Sequence, residues 1–368
     1  MSLGKKIRTL RDGVRFSLNQ WRYGYKPVSC AEDFAWVNLR HLVIAKMDGK
    51  LGDTQVITPF IATLQEHCPQ LQFSVVAATN VASLYADILG LHTITVPVKA
   101  DPAAVQKAIS SDTLLSRLPC DALLTTEPNF RARDLCLNKL LHPRYIIGIE
   151  ERSGAVNLNL KTHSLGKHIT QYFADLLVLG GINTKFECYT PLFTAQEQEW
   201  AVKIINAPAI GIAPYGASRH RRLSDDLLVQ LVDFLTTHTA FKLALLFDVA
   251  SSLQARLQAF DSECFIYKPQ ATSASQYAAL IATCTGIISV DSAAVHLSNA
   301  ARVPAFCLYA GLDPDGIKRW GPAPFATECV SMALPGKRID ELSFSDIKAE
   351  LFAFLQSRFD NTGSLRKE

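Results

Sequence analysis

The sequence predicts an α/β protein built from two doubly wound, Rossmann-like parallel-sheet domains with a central cleft, and three observations carry that prediction. Strand-like and helix-like segments alternate through most of the 368 residues, the pattern that builds a parallel sheet covered by helices on both faces. The chain is longer than one hydrophobic core usually organises, which favours two domains. Its composition, 48% hydrophobic against 19% charged, suits a well-buried α/β fold and leaves little room for disorder.

The elements follow in order. His41 to Lys46 (HLVIAK) is an apolar run of the kind a strand buried on both faces requires. Thr54 to His67 reads as a helix, Gln72 to Ala77 as a strand, Asn80 to Leu89 as a helix and His92 to Val96 as a strand. Pro102 to Arg117 is a helix, Asp121 to Thr125 a strand, Phe130 to Leu141 a helix and Tyr145 to Ile149 a strand. Leu165 to Gly180 adds one more helix, closed by the pair Gly180 and Gly181. From Ile182 to Pro208 the alternation lapses into polar, proline-marked sequence, so residues 183–208 are expected to link a first domain (41–182) to a second (209–338).

The second half repeats the design. Strands are expected at Ala209 to Ala213, Lys242 to Phe247, Cys264 to Tyr267, Gly286 to Val290 and Ala305 to Tyr309. The helices between them are Asp225 to His238, Ser251 to Phe260, Ser273 to Thr283 and Ala293 to Ala301. A last amphipathic helix, Ile339 to Arg358, follows a loop rich in proline and glycine, within a terminal segment 339–368. In such folds ligands bind at the carboxyl ends of the strands, which places function between the two halves.

Residues 1–40 form a basic, amphipathic extension. The first 26 carry Lys5, Lys6, Arg8, Arg11, Arg15, Arg22 and Lys26 against Asp12 alone, although the whole chain is only +3. Leu3, Ile7, Leu10, Val14, Leu18 and Trp21 recur at helical spacing, so a helix here has one apolar stripe beside a basic surface. Such a stripe can lie on an anionic membrane surface or pack on the protein's own body. The nine cysteines are scattered with no C-x-x-C pair, and the start does not resemble a cleavable signal, so reduced thiols and a cytoplasmic location are expected. No apolar run approaches the roughly 20 residues that a membrane span needs.

Three loops at predicted strand ends carry chemistry. Ile287 to His296 (IISVDSAAVH) reads as a buried strand ending on Asp291 and feeding a helix through small residues. Ser292 can cap that helix or offer its hydroxyl, while Ala293 and Ala294 leave its first turn open to phosphate oxygens. His296, one turn beyond Ser292, shares that helix face. An ordinary strand–helix junction accounts for the same residues. In Met47 to Asp53 (MDGKLGD), Gly49 and Gly52 permit tight turns, and Asp53 is either a plain N-cap or a base for a substrate hydroxyl. Tyr215 to Ser224 (YGASRHRRLS) bunches Ser218, Arg219, His220, Arg221 and Arg222 after a strand, as a solvated cluster or as a phosphate clamp.

Together these segments resemble a known family. LGD at Leu51 to Asp53 followed by Thr58-Pro59, then GASRHRRLS, SVDSAAVH, LYAGLDP at Leu308 to Pro314 and WGP at Trp320 to Pro322 occur in the order found in the family 9 glycosyltransferases, the ADP-heptose:lipopolysaccharide heptosyltransferases. The likeness runs from about His41 to Pro322. It implies the GT-B architecture, a donor held mainly by the second domain, and a final helix that returns toward the first. It assigns Asp53 as catalytic base and Arg221 as the basic residue of the phosphate loop. The D-[ST]-[GA]-x-x-H signature falls on Asp291, Ser292, Ala293 and His296. Gly52, Ser218, Arg219 and Thr272 complete the expected nucleotide-sugar set. Arg221 stands where lysine is commoner, Leu223 where tryptophan is usual and Ala293 where glycine is usual. These changes leave the reaction class intact and the donor sugar open.

The implied function is an inverting transfer of a heptose or related sugar from an ADP-sugar to a hydroxyl of the lipopolysaccharide inner core, with no metal and no cofactor. Arg131 and Arg133, after Glu127-Pro128-Asn129, are candidates to pair with an anionic glycolipid acceptor, although a solvated helix start explains them equally. The basic extension can hold the enzyme peripherally at the inner face of the inner membrane. The alternatives are a transferase of the same fold using another nucleotide-sugar or glycan acceptor, and a non-catalytic nucleotide-sugar binding protein. Nucleic acid is not an expected partner. A dinucleotide dehydrogenase is disfavoured because the first strand's loop lacks G-x-G-x-x-G.

Overall fold

The computed structural model describes residues 3–28, 31–247, 251–260, 262–267, 273–360 and 364–366. The chain forms two compact units. The first comprises Met1–Lys50, Phe60–Leu165 and Gln171–Lys185; the second comprises Leu51–Pro59, Gly166–Thr170 and Phe186–Glu368.

The first unit is built on six parallel strands: β1 (His41–Lys46), β2 (Gln72–Ala78), β3 (His92–Val96), β4 (Ala122–Thr125), β5 (Tyr145–Gly148) and β6 (Leu158–Asn159). Their order is β3-β2-β1-β4-β5-β6, the Rossmann order produced by right-handed crossovers on both sides of a central first strand. Along this part of the chain run helices α1 (Leu3–Tyr23), α2 (Leu51–Val56), α3 (Thr58–His67), α4 (Pro102–Ser110), α5 (Ala132–Leu141), α6 (Lys161–Ser164) and α7 (Ile169–Leu179). The helix expected over Thr54 to His67 is divided at Ile57, because Pro59 has no N–H to give to Gln55 O and stands instead in the first turn of α3, while Thr58 Oγ1 donates to Gln55 O at 2.9 Å. The segment Asn80 to Leu89 forms only a single, wider π-helical turn at Leu84–Ile88.

Trp36 is the largest fully buried side chain of this unit; its indole N–H donates to Leu176 O at 3.2 Å, and Phe34 and Phe60 meet it edge-on. Gly180 lies flush against the indole, where a Cβ would approach its ring to 2.3 Å.

Asp134 in the first turn of α5 is an electrostatic liability here. It accepts from the Arg131 backbone N–H at 2.7 Å and lies 3.7 Å from the Arg133 guanidinium, yet burial outweighs both and pushes its carboxyl up to about 6. A raised folded-state pKa gives stability that is fully present below about pH 4 and lost as pH rises through about 6. Asp134→Asn is therefore expected to gain on wild type by up to about 3 kcal/mol between about pH 4 and pH 7. Urea unfolding of the two proteins across that range checks this; a pH-independent difference contradicts it.

The second unit repeats the topology with β7 (Ala209–Ala213), β8 (Lys242–Leu245), β9 (Phe265–Tyr267), β10 (Gly286–Val290), β11 (Ala305–Gly311) and β12 (Cys329–Pro335) in the order β12-β11-β10-β7-β8-β9. Its other helices are α8 (Ala195–Ile204), α9 (Asp225–His238), α10 (Ser251–Leu257), α11 (Ala274–Thr283), α12 (Ala293–Ala301), α13 (Pro314–Trp320) and α14 (Phe344–Phe359). Two apolar layers sandwich the sheet: Leu228, Leu231 and Phe306 lie in one, and Ala279, Ile287 and Val295 in the other.

Three expectations need correction. The supposed linker 183–208 contains α8, started by a reciprocal Thr194/Glu197 capping box and packed into the second core through Ala201 and Ile205. The final helix begins at Phe344 after a 3₁₀ turn, and its apolar face (Ile347, Leu351, Phe354, Leu355, Phe359) is buried in the second unit's own core. Cys329–Pro335 forms an edge strand where an irregular loop was expected. No helix among the described residues is long and apolar enough to cross a membrane.

Candidate active site

The site grows from the carboxyl ends of β7 and β10, neighbours at the centre of the second sheet. After β10, Ser292 adopts extended backbone and caps α12, its hydroxyl oxygen accepting from Ala294 N at 3.3 Å. Ser289 donates to Val290 O at 2.8 Å, so the Ser292 hydroxyl proton is left to point at Ser289 Oγ, 3.1 Å away. The cap role that sequence left open is the one Ser292 fills. Ala293 leaves the first turn half-exposed, as an anion-binding helix start requires.

The basic loop after β7 folds back on itself: Gly216 N donates to Arg221 O at 2.7 Å and Leu223 N to Pro214 O at 3.0 Å. Leu223 anchors the return in the core. A Cβ on Gly216 would meet Asp291 O at 2.6 Å and Arg221 Cβ at 2.7 Å, so only glycine lets the loop lie this close to the β10 motif. The result joins two predicted residues: Arg221 Nη1 is 3.2 Å from Asp291 Oδ2. Burial raises the Asp291 carboxyl, and Arg221 opposes that rise. The side chains of Ser218, Arg219 and Arg221 are exposed on this loop, and His220 faces Asp340 at 3.5 Å.

Asp53 arrives in a way the sequence does not disclose. Helix α2 packs on α12 within the second unit. Gly52 makes the contact, since a Cβ there would lie 3.2 Å from His296 Cδ2 and 3.4 Å from Ala293 Cα. The other end of α2 is tied down by Gln55 Nε2 donating to Thr190 O at 2.7 Å and by Thr190 N donating to Thr58 Oγ1 at 3.1 Å. Asp53, half-buried in the first turn of α2, thus stands beside the first turn of α12.

His296 is buried beneath this junction. Its ring lies among His168, Tyr189 and Trp320 at centroid distances of 6.5, 6.2 and 6.5 Å, and burial, then His168, lowers its pKa to about 3. The imidazole is neutral, so it brings no positive charge to a phosphate; it supplies packing under α2. Its buried Nδ1 has no hydrogen-bond partner among the described residues. His168 accepts from Thr170 N through Nδ1 and donates from Nε2 to Gly321 O at 3.0 Å, fastening the WGP turn. Sequence reasoning missed His168 and Tyr189: neither sits in a recognisable motif, and only tertiary packing assembles them.

Thr272 lies outside the described residues. The remaining candidates belong to the first unit. Arg131 is exposed at the start of α5, whereas Arg133, expected at an anionic acceptor, is buried and donates to Val98 O at 3.3 Å beside Asp134. Its burial and its partners Val98 and Asp134 make it part of the helix anchor. Among the described residues, no group of three His, Cys, Asp or Glu side chains is placed to hold a metal ion.

Two parallel sheets in Rossmann order define the GT-B class of glycosyltransferase fold. Within that class, residues 255–337 match the model of glycosyltransferase family 9 (heptosyltransferase), the family that the motifs resemble. Solved structures agree. The family 9 glycosyltransferase of Veillonella parvula is 14% identical with a TM-score of 0.71, over 88% of this chain and 99% of that one. ADP-heptose lps heptosyltransferase II of E. coli is 18% identical with a TM-score of 0.64, over 87% and 99%. E. coli heptosyltransferase WaaC with ADP is 16% identical, also at 0.64, over 85% and 99%. Likeness at these identities establishes the fold. No curated protein matches the chain in sequence.

Proposed function

We propose that the chain is an inverting glycosyltransferase that moves a heptose, or a closely related sugar, from an ADP-sugar to a hydroxyl of the lipopolysaccharide inner core. One observation carries the reading most: Gly52 seats the first turn of α2, with Asp53, directly on the start of α12, so a carboxylate and an anion-binding motif share one rigid junction.

The chemistry is a single displacement. The acceptor O–H gives its proton to the Asp53 carboxylate as the oxygen attacks the anomeric carbon from the face opposite the diphosphate. The bond from that carbon to the diphosphate oxygen breaks, and its electron pair leaves with ADP. The growing negative charge meets the Arg221 guanidinium, the exposed Arg219 on the same loop and the N-terminus of α12. These groups supply the charge that a metal provides in other transferases, so the reaction is written without one. Arg131 is the exposed cation offered to the acceptor's phosphates or carboxylates, and such a lipid acceptor places the work at the inner face of a membrane.

Support for the donor comes from solved neighbours described as holding ADP and ADP-2-deoxy-2-fluoro heptose. A thermal-shift panel of ADP-, GDP-, UDP- and CMP-sugars tests it. ADP-heptose at a hundredfold excess over its Kd is expected to add about 2.7 kcal/mol of stability. Stabilisation by uridine or cytidine nucleotides alone contradicts the proposed donor.

A further inference from the structure

The amphipathic segment at the start of the chain is docked by the face opposite its apolar stripe. Helix α1 packs on α5 through Phe16 and Tyr23, which join a small cluster with Phe130, Leu135, Ile146 and Ala155. Gln20 Nε2 donates to Ser153 O at 3.1 Å, the Arg152 guanidinium lies 3.9 Å above the Phe16 ring, and Lys139 Nζ donates to Arg22 O at 2.8 Å. Phe16, Gln20 and Tyr23 recur at steps of four and three and make up this inner face. The helix is therefore held firmly, and held with its apolar stripe outward.

Leu10, Val14, Leu18 and Trp21 are 71, 55, 61 and 86% exposed. They form one continuous line about 16 Å long, too large and too ordered an apolar patch to be incidental on a helix anchored from behind. Trp21 stands at its end, and an exposed indole with an apolar body and a polar N–H suits a lipid–water boundary. Arg11, Arg15 and Arg22 are all exposed and recur at steps of four and seven, so they run along one shoulder of the stripe. An apolar ridge with a cationic shoulder is complementary to acyl chains below and lipid phosphates beside them.

We propose that this outer face of α1 is a docking surface for an anionic phospholipid bilayer, with Leu10, Val14, Leu18 and Trp21 entering the acyl boundary and Arg11, Arg15 and Arg22 meeting headgroup phosphates. Charge complementarity selects an anionic membrane over a second copy of the chain, because two such shoulders would repel each other. The inference goes beyond the transferase reading and stands without it, since α1 is built wholly on the first unit and the donor residues lie in the second.

Cosedimentation of the full-length protein with phosphatidylethanolamine–phosphatidylglycerol vesicles, with no sugar nucleotide present, tests the proposal. Wild type is expected to pellet with these vesicles, not with phosphatidylcholine vesicles, and to be released by high salt. Val14→Glu/Leu18→Glu is expected to abolish binding. Arg11→Gln/Arg15→Gln is expected to weaken it roughly tenfold or more. Circular dichroism and unfolding should be unchanged in both, because the altered side chains are exposed. Failure of wild type to bind, equal binding to both vesicle types, or undiminished binding by the glutamate variant overturns the proposal. A concentration-dependent dimer that the glutamate variant dissolves overturns it too, by assigning the stripe to a second copy. Neither result bears on the donor panel, so the two readings fail separately.

Discussion

Asp53→Asn is expected to lower kcat for sugar transfer by about 10²- to 10⁴-fold while leaving ADP affinity within about twofold of wild type, the signature of a lost general base. Asparagine keeps the shape and the hydrogen-bonding oxygen of aspartate, so α2 should stay on α12. What it cannot do is accept the acceptor's proton. Steady-state turnover together with equilibrium ADP binding separates the two effects. Turnover within tenfold of wild type would place the base elsewhere. Loss of ADP binding would instead mean that Asp53 serves the α2–α12 junction, and Gly52 makes that alternative concrete by packing within van der Waals reach of His296 and Ala293.

Arg221→Gln is expected to show the complementary pattern. Removing a preorganised cation from the leaving group should cost about 10²- to 10³-fold in kcat and also weaken ADP binding, because the guanidinium is proposed to meet the diphosphate before and after transfer. Arg221→Lys should recover part of both, since it restores the charge without the planar fork. A second readout is independent of catalysis. Arg221 is what holds the half-buried Asp291 carboxyl down, 3.2 Å away, so its removal should raise that pKa further. The titration profile of the Asp291 carboxyl, followed by NMR, should then move to higher pH in the glutamine variant. Unchanged turnover together with an unmoved profile would reduce the pair to a surface contact.

Much of the fold was legible because parallel strands buried on both faces are written as short apolar runs. HLVIAK, AIGIA and GIISV became β1, β7 and β10, and the glycine and alanine positions after them marked the loops. What failed had local physical causes. The capping box at Thr194 and Glu197 is a helix start inside a stretch judged irregular by its prolines. Pro59 divides a run whose apolar periodicity is otherwise continuous.

The site was legible in part. Asp291, Ser292 and Arg221 come together because each follows a central strand of the same sheet, which strand order predicts. The partnership of Gly52 with His296 was not legible, since a six-residue helix that lies between β1 and β2 in the chain packs with the other unit. The ionic state of His296 was equally hidden, because burial among His168, Tyr189 and Trp320 comes from three distant segments. Periodicity located the stripe of α1 correctly but left its direction open. The docked face is the one carrying Phe16 and Tyr23, which leaves the more regular stripe outside.

The central claim is a direct displacement at the anomeric carbon of an ADP-sugar, and the anomeric configuration of the product tests it most directly. NMR of the glycan formed from ADP-heptose and an inner-core acceptor is predicted to show the anomeric centre inverted relative to the donor, with one ADP released per bond formed and none without acceptor. A product of retained configuration, or ADP release that does not depend on acceptor, would contradict the account.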